Sequence, residues 1–478
     1  MRREAIGVRI MGARHETIDA QKRGVRHETI DEPRVSRLMP PRVSGLTSHA
    51  QWPKVRLGTI CSRVTSGGTP STKRPEYYGG TIPWLRTQEV DFKPIYSTEL
   101  FITEDGLNNS SAKWIPENTV IVAMYGATAG RSAITKIALT TNQACCNLII
   151  DEAQADYRFV YYSLRFRYEE LEGLAKGSAQ TNLNAGIIKE FEIPLPPLPV
   201  QRRIADILSA YDDLIENNRR RIAILEETAR LTYRKWFGGM MKSDGGMRRE
   251  TIDEQGLGVR HETIDESHVS RLGSKVPRVS GLTSHAHPRT ATLGEICQIF
   301  GGGTPKTSIP EFWDGDIPWV VPTDITRNTC LALLDTERKI TALGLQKSSA
   351  KMLPANAILM TSRASVGYFG MADFPVCTNQ GFISIVPNND SWRWYLLFNL
   401  MSRVEEIRSN AKGSTFPEIS RARFRSMDVA IPDDNALIEF NGAVEPLMHQ
   451  VRILTKQSAA LAAARDMLLP RLMKGDAA

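Results

Sequence analysis

The feature that most constrains this chain is a seam that occurs twice. Apolar or small residues recur at Ile204, Leu208, Tyr211, Ile215, Ile222, Leu225, Ala229 and Trp236, and Asn218 and Thr232 fill the two remaining places. The steps alternate four and three, the repeat of a helix that packs along a partner helix. Pro199 suits a first helical position, and Gly238 and Gly239 suit a stop. Such a helix is a rod of roughly 50 Å. Moving 236 positions on gives Phe440, Val444, Leu447, Val451, Leu454, Ser458, Leu461, Arg465, Leu468 and Leu472, with Gly475 as the stop. One amphipathic helix can lie on any globular body. Two with matched seams most simply pack on each other, and Asn218 and Ser458 near their middles would set register. Pro470 predicts an early end or a kink in the second helix.

The segments ahead of the helices are copies too. GGTPSTKRPEYYGGTIPWLRTQEV (67–90) matches GGTPKTSIPEFWDGDIPWVVPTDI (302–325). ATAGRSAI (127–134) matches ASVGYFGM (364–371), TNQA (141–144) matches TNQG (378–381), and KGSAQTNL (176–183) matches KGSTFPEI (412–419). The offset stays near 236, so the chain is a tandem duplication. Short β-like runs such as TVIVAMY (119–125) and CNLIID (146–151) sit between Gly, Pro, Asn and Ser clusters, and a helical run follows near Tyr157–Ala175. The predicted class is α+β. Domains fall at 52–199 and 289–431, with long helices at 200–239 and 432–478. If the helices pair antiparallel, the domains sit at opposite ends of a rod with pseudo-twofold symmetry.

Residues 1–51 and 240–288 stand apart. GVRHETIDEPRVSRL (24–38) returns as GVRHETIDESHVSRL (258–272), and PRVSGLTSHA (41–50) returns unchanged at 277–286. These blocks are charged and poor in aromatics, which reads as a disordered tail and linker; a basic arm on DNA is the functional alternative. Seven of the eight histidines lie in or beside them, leaving only His449 elsewhere. The folded part therefore has little histidine for acid–base or metal chemistry. The six cysteines form no C-x-x-C pair, which predicts free thiols in a reducing cytoplasm. No apolar run is long enough to span a membrane, and the N-terminus has no signal-peptide core. The net charge of +7 permits nucleic-acid binding.

Two diverged modules on a rigid spacer suit a two-part target. Half-sites one turn of DNA apart are about 34–36 Å centre to centre, within the reach of such a rod. The combination GGTP…IPW, TNQ, KGS and IPLPPLPVQRRIADIL, in this order and largely repeated, resembles the specificity (S) subunits of type I restriction–modification systems. The resemblance covers residues 52–237 and 289–475. It implies two target recognition domains, each reading half of a split double-stranded DNA sequence, and helices that set the gap. It also implies docking of modification (M) subunits, which would bring S-adenosylmethionine and methylate adenine. Restriction (R) subunits would add ATP- and Mg-dependent translocation and cleavage. No cofactor is expected on this chain, and no catalytic or metal site. The chain departs from the family pattern in its repeat blocks, in IPDDNALIEF (431–440) where the first copy has a Pro-rich lead into the helix, and in Tyr368 where the first copy has Arg131.

GGGTPKT (301–307) fails as a phosphate loop, because the Gly-Lys-Ser/Thr ending is missing. PLPPLP (194–199) reads as a connector. The expected DNA contacts are Lys73, Arg74, Arg86, Gln88, Tyr125, Arg131, Lys176, Ser178, Gln180 and Asn182 in the first domain. In the second they are Lys306, Thr323, Arg327, Arg363, Tyr368, Lys412, Ser414 and Arg421. Trp84 and Trp319 are expected in cores, and Asn142 and Asn379 in turns. The triplet Arg219, Arg220 and Arg221 reads as a solvated helix face. A different class of function stays open: a coiled-coil scaffold presenting two modules to protein or glycan.

Overall fold

The computed structural model describes residues 52–177, 182–238, 289–413 and 417–475. Both repeat blocks, and with them the expectation of disorder, lie outside these residues. The two long helices are Leu198–Phe237 and Asp434–Met473, each 40 residues long and displaced by the same 236 positions. They pack antiparallel. Asp212 of the first meets Arg465 near the end of the second, while Phe237 meets Phe440 near its start.

The two helices begin by different means at equivalent positions. The first follows Pro197, with Pro199 in its opening turn. The Gln201 amide anchors it by donating to the Pro196 carbonyl at 2.7 Å and accepting from the Asp156 N–H at 3.0 Å. In the second, Asp433 caps the helix by accepting from the Ala436 N–H at 2.9 Å. Pro470 does not end the second helix, which runs on to Met473 with Pro446 also inside it. Pro470 sits in the last turn, so the ladder bond it removes falls at the helix end, where few further turns depend on it.

Of the seam residues, Leu208, Asn218, Ile222, Val444, Val451 and Leu454 are buried. Tyr211, Ile215, Leu225, Leu447, Ser458 and Leu461 are half-buried. The buried stripe is wider than a strict seam, because the domains also lie on the helices. Asp212, Glu226, Met448 and Leu469 are buried on this account.

Each domain is built on a five-stranded sheet of one topology. In the first, the spatial order is Cys61–Ser66, Cys145–Ile150, Val120–Ala123, Ser132–Thr135, Pro94–Ile95. In the second it is Cys297–Gly301, Phe382–Pro387, Ile358–Thr361, Phe369–Ala372, Ala332–Leu333. The central strands are fully buried Val, Ile, Leu and Met runs, as expected of a sheet covered on both faces. A smaller sheet around Tyr78–Leu85 or Trp313–Val320 carries the IPW motif.

A helix from each domain seats it on one end of the rod. In the first joint, Tyr157–Phe166 presents Tyr162, whose hydroxyl donates to Asp212, and Asp212 is ion-paired to Arg465. Arg165 pairs with Asp466 at 2.8 Å, and Arg158 with Asp206 at 2.7 Å. In the second joint, Arg393–Ser402 packs Tyr395 and Phe398 against Tyr233, and Tyr395 against Phe237, which in turn meets Phe440. Its polar bonds include Asn399 donating to the Tyr233 hydroxyl at 2.9 Å and the Trp394 indole donating to Glu445. The first long helix also reaches the second domain directly. The buried Glu226 carboxylate accepts from the Leu331 N–H at 2.6 Å.

Candidate nucleic-acid interface

The repeated motifs, far apart in sequence, are tied together in each domain by the same hydrogen bonds. The second Gly of GGTP donates to the Thr of TNQ: Gly68 to Thr141 at 2.8 Å, Gly303 to Thr378 at 2.9 Å. The indole of IPW donates to that Gly carbonyl at 2.9 Å, from Trp84 and from Trp319. The Thr of GGTP bonds the Gln of TNQ, as Thr69–Gln143 and Thr304–Gln380. Asn142 donates its backbone N–H to Leu85 at 2.9 Å, and Asn379 to Val320 at 3.0 Å. The first Gly of each GGTP is obligatory, since a Cβ on Gly67 or Gly302 would lie 2.0 Å from a backbone oxygen of the TNQ turn. Trp84 and Trp319 are both buried. These motifs form a scaffold.

On that scaffold stands a hairpin tip, between Val120–Ala123 and Ser132–Thr135 or between Ile358–Thr361 and Phe369–Ala372. Met124 donates to Ala144, and Ser362 to Gly381, both at 2.8 Å. From the other side, Leu183 donates to Met124, and Ile419 to Ser362, both at 3.1 Å. The end of the KGS segment is thereby fixed beside the tip. Tyr125 stands on the first tip, followed by Gly126 at φ 78°, and Arg363 stands on the second, followed by Ala364 at φ 60°.

The other expected contacts distribute unevenly. Asn182 and Lys412 are exposed and lie on the segments that brace the tips. Lys73 and Lys306 are exposed beyond GGTP, as is Arg74, which pairs with Glu76 at 3.4 Å and lies over the Tyr77 ring. Lys176 is exposed and pairs with Glu172 at 2.9 Å. Arg421 is exposed, with its guanidinium against Gly301. Ser178, Gln180 and Ser414 lie outside the described residues. Tyr368 is half-buried and packs beside a core cluster.

Three first-domain candidates are engaged internally. Arg86 pairs with Glu99 at 2.7 Å, and Gln88 accepts from its guanidinium at 2.9 Å. Arg131 pairs with Asp91 at 2.5 Å and lies over the Phe92 ring. Glu89, whose carboxyl burial pushes up, accepts from the backbone N–H groups of Arg86 and Glu99 at 3.0 and 2.8 Å. Thr323 and Arg327 line a different feature, a cleft of about 340 Å³ shared with Asp324, Asp335, Glu337 and Thr455 of the second long helix.

Two buried carboxylates, Asp212 and Glu226, carry no mark in the sequence that sets them apart. The cysteines offer no nucleophile at neutral pH. Burial pushes Cys61 and Cys330 up to about 11, and Cys146, Cys297 and Cys377 up to about 12. Among the described residues no helix is long and apolar enough to cross a membrane.

Two domains of one topology, each ending in a long helix that pairs with the other, define a tandem recognition architecture. The family described as the type I restriction modification DNA specificity domain matches residues 50–227 and 289–460. The chain belongs to this family and carries its domain twice. It is 27% identical over 432 residues to the MjaIX specificity subunit of Methanocaldococcus jannaschii, covering 86% of this chain and 90% of that one. It is 23% identical over 321 residues to the HindI specificity subunit of Haemophilus influenzae, covering 60% and 70%. The solved specificity subunit from M. genitalium shares the fold with a TM-score of 0.51 at 19% identity, over 88% of this chain and 96% of that one.

Proposed function

We propose that the protein is the DNA-reading specificity subunit of a type I restriction–modification complex. Each domain reads one half of a bipartite double-stranded target through the face that carries its hairpin tip. The paired helices hold the two faces apart and set the gap. Membership of the family over both domains carries this reading, and the matched bracing of the two tips supports it. The chain itself does no chemistry. Methyltransferase subunits dock on the helices and methylate adenine with S-adenosylmethionine. Restriction subunits supply ATP- and Mg-dependent translocation and cleavage. The complex works in the cytoplasm, where its DNA lies.

The test is co-expression of the full chain with the methyltransferase subunit encoded beside it, followed by mapping of methylated adenine across the host genome. The expected result is one split motif with a fixed gap. Methylation at an unsplit motif refutes two-domain reading; a stable complex with no methylation points to damage by the repeat blocks, and no complex at all favours the scaffold. Inserting one heptad into each long helix should widen the gap and leave both half-sites intact.

A further inference from the structure

The two tips are braced by the same backbone bonds, differ by one residue in length, and differ in the side chain they present. The bonds from Met124 and Ser362 to the TNQ turns have equal length, and so do the bonds from Leu183 and Ile419. Both tips turn through a left-handed residue, Gly126 at φ 78° and Ala364 at φ 60°. Alanine adopts that region only under constraint. The constraint is visible: the Ala364 N–H donates to Pro417 at 3.0 Å, and Ser365 donates back across it to Arg363 at 2.8 Å. At the position just after the braced residue, one tip carries an aromatic ring and the other a guanidinium. Tyr125 is 38% exposed, and the Arg363 side chain is 53% exposed.

Arg363 is also only lightly held. Its contact with Glu418 spans 3.6 Å between two half-exposed groups, and such pairs exchange readily for another partner. Arg86 and Arg131 are held at 2.7 and 2.5 Å by carboxylates, with side chains only 27% and 33% exposed. A strained, pre-set turn that aims one weakly paired arginine outward suits bidentate recognition of a guanine edge in the major groove. An exposed ring in the same place suits stacking or contact with a thymine methyl group.

Resting on the reading above, we propose that the tip residue is the principal base-reading position of each domain: Arg363 reads a guanine in one half-site, and Tyr125 makes an apolar contact in the other. The experiment maps methylated adenine for the wild-type complex and for complexes carrying Arg363→Ala, Arg363→Lys or Tyr125→Ala. Complex yield and melting temperature control for folding. Arg363→Ala should relax one guanine in one half-site, with roughly tenfold or greater loss of preference there and the other half-site intact. Arg363→Lys should relax the same position, because it keeps the charge and loses the fork. Tyr125→Ala should alter only the opposite half-site. Unchanged motifs in well-folded variants overturn the inference, as does full preference retained by Arg363→Lys. A wild-type complex that methylates an unsplit motif overturns the reading beneath it, and the inference with it.

Discussion

The two joints that seat the domains occupy equivalent positions and differ in chemistry at three matched residues. Tyr162, Asp212 and Arg465 of the first correspond, 236 positions away, to Phe398, Met448 and Ala229 of the second. One joint is a buried hydrogen-bonded ion pair; the other is an apolar contact beside an aromatic cluster. The backbone geometry therefore does not depend on either solution. A buried ion pair stabilises little over a packed apolar replacement, yet it is costly to break from one side. The first joint is thus the more fragile of the two to single changes.

The sharpest way to break the comparison is to remove one partner. Arg465→Ala strands Asp212 in the joint and should cost about 3–5 kcal/mol in urea unfolding. Grafting the second joint onto the first, with Tyr162→Phe, Asp212→Met and Arg465→Ala together, should recover nearly all of that loss. If the graft is as unstable as Arg465→Ala alone, the two joints are not interchangeable.

Phe440→Ala opens a cavity among Tyr233, Trp236 and Phe237 and should cost about 3–5 kcal/mol. Its counterpart Ile204→Ala, buried in the first joint, should cost a little less, about 2–5 kcal/mol.

Glu226 sharpens the asymmetry through pH. Burial pushes its carboxyl up to about 7, and its counterpart Ala462 has no ionisable group. The unfolded chain releases this proton near pH ~4.3. Between there and about 7 the folded state holds a proton that the unfolded state has lost. Stability therefore falls as pH rises through that window and levels off above it, by a total of about 4 kcal/mol at most. Glu226→Gln keeps an acceptor for Leu331 and should flatten the change, measured as urea midpoints at pH 5 and pH 8. A slope identical to wild type would place the titration elsewhere. The smallest effect belongs to Asp206→Asn, which weakens the partly exposed pair with Arg158 and should shift stability by less than about 1 kcal/mol.

The seam and the duplication were legible because apolar spacing is local and the copies align along the chain. Asp212 and Glu226 were not legible, since their partners lie 253 and 105 residues away and nothing in the spacing marks a buried carboxylate. Arg465 stood in the seam, but its place gave no hint of an ion pair. Pro470 looked like a stop only because the position of the final turn was unknown. At the candidate interface, charge drew attention to Arg86 and Arg131, and charge alone does not reveal an internal carboxylate partner. The correspondence of Tyr125 and Arg363 is set by the hydrogen bonds of Met124 and Ser362, because the motif alignment places Gly126 opposite Arg363.

Trp52, where the described chain begins, lies against Gly475, where it ends; a Cβ on that glycine would sit 3.4 Å from the indole. The path leaves the first domain, runs up one helix, passes through the second domain and returns along the other helix to its origin. The described molecule is closed on itself like a loop of rope. A permuted chain that joins 475 to 52 and opens between 238 and 289 would make the same packing contacts. Which of the two units comes first in the gene is then a fact of history, with no bearing on how the unit is held together.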